Sequence, residues 1–106
     1  MDANKLMKSV ELERELRIIT DEVNDILLKV NVYIECIEEF YKNKEKSKDF
    51  VADMQMKQAM LLRFINRLND IIMQAMVINE QSIVLRCEDI KCQVRDIMEA
   101  VRNLYM

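Results

Sequence analysis

Not one residue of this chain is glycine or proline. That absence constrains the fold more than any motif does. Tight turns draw on glycine for positive φ and on proline for a preset φ. A sheet protein of 106 residues needs several such turns. The chain is therefore expected to be all-α. At 51% hydrophobic and 33% charged, it has the composition of one folded helical domain, residues 1–106, with a modest core.

The hydrophobic pattern gives the helices their faces. In the first segment Leu16, Val23, Val30 and Ile37 take heptad position a, and Leu12, Ile19, Ile26, Tyr33 and Phe40 take d. Leu27, Ile34 and Tyr41 widen this stripe at e. A two-stranded zipper needs only a and d, so the wider face points to three or more packed helices. Residues 42–49, KNKEKSKD, carry no apolar side chain and read as a charged inter-helix loop, with Ser47 or Asp49 available as a helix cap. A phosphate-binding patch on its lysines is the sharper alternative.

In residues 50–78 the spine is Met54, Leu61, Leu68 and Ala75, flanked by Phe64, Ile65, Ile71 and Ile72. Met56, Met60, Leu62, Met73, Met76 and Val77 fall outside that face. A helix with so little polar surface wants neighbours on more than one side. The last segment returns to a clean heptad: Ile83, Cys87, Ile90, Val94, Ile97, Val101 and Leu104. The expected bundle core comprises Leu16, Ile19, Val23, Ile26, Val30, Ile37, Leu61, Leu68, Ile90, Val94, Ile97 and Val101.

The stretch VINEQSIV, residues 77–84, decides the architecture. Asn79 is a good N-cap, Glu80 and Gln81 suit a first turn, and Ile78 with Ile83 could form a hydrophobic staple. Against a turn, no residue here breaks a helix, and the pattern also runs through Ala75, Asn79, Ile83 and Cys87 as a stutter. A continuous helix over residues 49–106 would be about 87 Å long against about 55 Å for residues 5–41. About 30 Å of apolar stripe would then overhang. The expectation is an antiparallel three-helix bundle with helices over residues 5–41, 49–78 and 80–105. The alternative is a helical hairpin with one long continuous second helix.

Charge separates along the chain. Residues 1–41 carry a net −5, residues 42–49 +2, residues 50–78 +1 and residues 79–106 −1, for the overall −3. An acidic first helix beside a slightly basic second one modestly favours their antiparallel pairing, and could equally steer a basic partner.

The same residues narrow the chemistry. There is no histidine, so the usual general base and the commonest metal ligand are missing. The serines, Ser9, Ser47 and Ser82, are scattered. Glu11, Glu13 and Glu15, then Glu35, Glu38 and Glu39, read as solvated helix surface rather than acid/base pairs. No catalytic, cofactor-binding or metal site is expected, and the chain is read as a non-enzyme. Of the three cysteines, Cys87 and Cys92 lie about 140° apart on a helix, too divergent to share a metal. Reduced cysteines and the lack of a signal-peptide pattern fit an intracellular protein, cytoplasmic or nuclear. "IIMQAMVI" is too short to span a bilayer, so no membrane insertion is expected. An acidic chain with no basic helix or aromatic platform is not expected to bind nucleic acid. Lys91, Arg95 and Arg102 read as intrahelical partners of Glu88 and Glu99.

What remains is protein–protein interaction. The expectation is a coiled-coil subunit, scaffold or adaptor that assembles with itself or with another helical subunit. Met56, Met60, Leu62, Met73, Met76 and Val77 would form the contact, since unbranched methionine repacks against varied surfaces. The alternative use of those methionines is to fill an irregular core. The alternative function is a small helical chaperone shielding an amphipathic segment of a client. A constitutive subunit should self-associate or be poorly soluble alone, whereas a chaperone should be soluble, often as a homodimer.

Overall fold

The computed structural model describes residues 3–35 and 48–105, which form three α-helices. They are α1 (Ala3–Glu35), α2 (Lys48–Val77) and α3 (Gln81–Tyr105). Among the described residues there is no strand. Residues 42–47 of the expected charged loop, with Ser47 and three of the four lysines of the phosphate-patch alternative, lie outside the described residues, as do Ile37, Phe40 and Tyr41. Lys48 and Asp49 belong to α2, so the loop does not reach residue 49 and Asp49 stands inside the helix instead of capping it.

Each helix buries a stripe that steps by three and four residues. On α1 it is Leu12, Leu16, Ile19, Val23, Ile26 and Val30; on α3 it is Ile83, Cys87, Ile90, Val94, Ile97, Val101 and Leu104. On α2 the stripe runs Phe50, Met54, Lys57, Leu61, Phe64, Leu68, Ile71 and Ala75, with Ile72 beside it. This spacing averages 3.5 residues per turn, so each row stays aimed at its neighbours along its whole length. The three rows meet in one hydrophobic cluster. Every expected core residue within the described segments is buried. The e-position stripe of α1 is only partly used. Leu27 packs on the core, but Ile34 is exposed.

Cross-helix contacts fix the directions. Tyr33 near the end of α1 reaches Asp53 near the start of α2, while Glu15 pairs with Arg67 further along it. These two helices are therefore antiparallel. Gln58 donates from its side-chain amide to the Met98 carbonyl (3.0 Å), which makes α2 and α3 antiparallel as well. Glu13 of α1 meets Arg86 of α3 at 2.7 Å, so those two run parallel. The result is an up–down–up bundle of 61 × 19 × 16 Å. The acid–base contrast expected between the first two segments appears as the Glu15–Arg67 pair.

The chain does turn at the NEQS stretch, and the continuous-helix alternative is overturned by the break between Val77 and Gln81. The turn is not the one expected. Asn79 has φ 65°, in the left-handed region. Its N–H donates to the Met76 carbonyl (3.2 Å), and the Glu80 N–H donates to the Ala75 carbonyl (2.9 Å). This pair of bonds is a Schellman motif, in which a left-handed residue just past a helix turns back to satisfy its last carbonyls. Asn79 thus closes α2 instead of capping α3. The Glu80 carbonyl accepts from Val84 N–H (3.3 Å), so Glu80 stands at the N-cap of α3. That puts Val84, not Ile83, in the fourth helical position, and Ile83 is buried in the core. The Ile78–Ile83 staple therefore has the wrong register. Asparagine can do this job without glycine because its short polar side chain tolerates the left-handed region better than most.

Candidate interaction surface

With the seam closed, what is left outside is informative. Opposite its buried row, α2 presents Gln55, Ala59, Leu62, Asn66, Asn69, Met73 and Met76, all exposed and stepping again by three and four residues. None of these seven is charged, but exposed Arg63 and Asp70 border them on the same side of the helix. Leu62, Met73, Met76 and Val77 are 52%, 67%, 61% and 86% exposed. Leu62 and Met73 lie eleven residues apart, about 16 Å along the axis and on the same side of the helix. Gln55 and the two asparagines between Leu62 and Met73 are the polar part of the strip.

The six residues expected to form one contact face divide. Leu62, Met73, Met76 and Val77 share the outer side of α2. Met60 is half-buried and packs against the core from the α1 side. Met56 is 64% exposed but sits on the α1-facing flank, about 100–120° around the helix from Leu62 and Met73. Methionine also enters the core itself, where Met54 is fully buried. The methionines thus serve both uses, core filling and exposed surface.

The sequence reading missed one feature of α2. Lys57 occupies a seam position and is only 8% exposed. Its aliphatic stem lies in the core row, and its ammonium donates to both carboxylate oxygens of Asp53 at 2.9 Å. Long cationic side chains bury stems in this way while the charge reaches a polar partner. Tyr33 of α1 donates its hydroxyl to the same carboxylate (3.3 Å) and packs edge-to-face on Phe50, with ring centroids 5.1 Å apart. Burial, with the Asp53 charge and hydrogen bond, raises the Tyr33 pKa, so the phenol stays protonated and able to donate. The cluster ties α1 to α2 at one register.

The cysteines separate as their spacing implies. Cys87 is buried in the α3 seam and Cys92 is exposed. Burial pushes the Cys87 thiol up to about 11, Glu88 adding to the rise and Arg86 and Lys91 opposing it. At neutral pH it is a protonated, apolar core group. Lys91 pairs with Glu88 at 3.8 Å, as the charge spacing on α3 suggested. Among the described residues, no three His, Cys, Asp or Glu side chains gather as a metal ion would require. No described helix is long and apolar enough to cross a membrane.

No protein-family model, curated protein or solved structure matches the chain. The geometry of its surfaces therefore carries the functional argument.

Proposed function

We propose that this chain is a non-enzymatic helical interaction protein, a subunit or adaptor that assembles through apolar outer faces of its helices. One observation carries the reading. The core row of α2 is already closed by α1 and α3, yet Leu62, Met73, Met76 and Val77 remain more than half exposed. They are surplus to the bundle. Scattered exposed apolar residues are ordinary, but a heptad strip with apolar residues along it, bordered on one side by Arg63 and Asp70, is the surface a further helix packs into. Unbranched methionines let such a strip fit more than one opposing surface. The partner is a second helical surface, supplied by another copy or by a different subunit.

The test is Met73→Glu with Met76→Glu. Both side chains are exposed, so the bundle should keep its helicity and melting temperature. Sedimentation or light scattering should report a lower assembly mass, with better solubility. Unchanged mass and solubility would mean that the α2 strip is not the contact face.

A further inference from the structure

We infer that a second copy of this chain docks antiparallel along the outer face of α1, about a twofold axis at the level of Ile19. This goes beyond the reading above, which concerns α2. Opposite its buried row, α1 carries Leu6 and Val10 near one end, Leu28 and Val32 near the other, all at least half exposed. Between them the same face carries Arg14 and Arg17, then Asp21 and Asp25, all exposed. Among the described residues, Arg14, Arg17 and Asp21 make no ion pair within the chain, while Asp25 pairs with Lys29 at 3.1 Å.

The order apolar, basic, acidic, apolar is self-complementary only when reversed. Leu6 and Val32, Val10 and Leu28, and Arg17 and Asp21 are three pairs of positions that share one midpoint, Ile19. A copy running the other way therefore sets Leu6 against Val32, Val10 against Leu28 and Arg17 against Asp21, each contact made twice. Arg14 falls opposite Asn24 and beside Asp25. A parallel copy in register would instead stack Arg17 on Arg17 and Asp21 on Asp21. Twofold contacts require such a patch to complement itself, and exposed charges at a helix pair set partner direction more than strength.

The experiment uses the Met73→Glu/Met76→Glu chain, so that failure of the α2 reading and failure of this one are separable. That chain should sediment as a dimer. Adding Arg14→Asp and Arg17→Asp should shift the dimer to monomer at the same concentration, with circular dichroism unchanged. Further adding Asp21→Arg and Asp25→Arg swaps the two charge blocks and should restore the dimer. The swapped chain should not exchange into dimers with the unswapped one. Three results would each overturn the proposal: a parent chain that is monomeric, charge reversal that leaves the mass unaltered, or a swapped chain that pairs with the unswapped chain in preference to itself.

Discussion

Asn79 shows how a single residue can end a helix that nothing else in its neighbourhood would stop. Its φ of 65° costs most residues about 1–2 kcal/mol. Asn79→Gly should therefore raise stability, by about 0.5–1 kcal/mol, because glycine meets the same φ without a side-chain clash. Asn79→Ala should lower it by roughly 1 kcal/mol. Urea denaturation of the two variants checks the assignment through its sign. A residue capping α3 with its side chain would lose stability on going to glycine, by a few tenths of a kcal/mol. The turn itself was legible, since a polar break between two apolar rows is visible in the sequence. Its type was not. Whether Asn79 ends one helix or begins the next depends on a one-residue shift in the backbone, and asparagine suits both roles.

At the scale of the element, the buried rows of α1 and α3 were readable residue by residue, because only apolar side chains occupy them. The row on α2 was readable only in part. Lys57 falls on the heptad between Met54 and Leu61, and a search for apolar positions passes over it. A charge in a packed row usually costs stability and fixes register in return. Replacing the pair together, Lys57→Met with Asp53→Leu, should accordingly stabilise the fold by about 1 kcal/mol or more, since the stem is kept and both charges are removed. Asp53→Ala should destabilise it by about 1–2 kcal/mol, a figure reduced by the solvent that reaches Asp53. Denaturation of both variants tests the pair. If the paired replacement proves more damaging than Asp53→Ala alone, the ion pair is not a cost to this core. The outer stripe of α1 escaped notice for a related reason. Once one face of a helix is assigned to the core, leucines and valines half a turn away read as scattered surface. That Leu6 and Val10 share a face with Leu28 and Val32, through Arg14, Arg17, Asp21 and Asp25 in steps of three and four, becomes evident only when their exposure is known.

The whole molecule is a closed bundle with two unlike open faces. The charge contrast between the first two segments was compatible with packing α1 on α2 and with steering a basic partner alike; Glu15–Arg67 is the pair through which it acts within the bundle. The spare apolar surface was expected on the methionines of the second helix. Four of the six residues named for it lie together on the outer side of α2, while Met60 turned inward because it faces α1. Sequence periodicity identifies the rows, but only the arrangement of three helices determines which flank of each is covered. Because α3 turns mostly charged groups outward, including Glu88, Asp89, Arg95 and Asp96, association should use α1 and α2 alone. The most direct test is the molecular mass of the unaltered chain by sedimentation velocity over a range of concentrations. The account predicts species heavier than the 12.7 kDa monomer, increasing with concentration through the micromolar range. A single 12.7 kDa species at every concentration, fully soluble and helical, would contradict it.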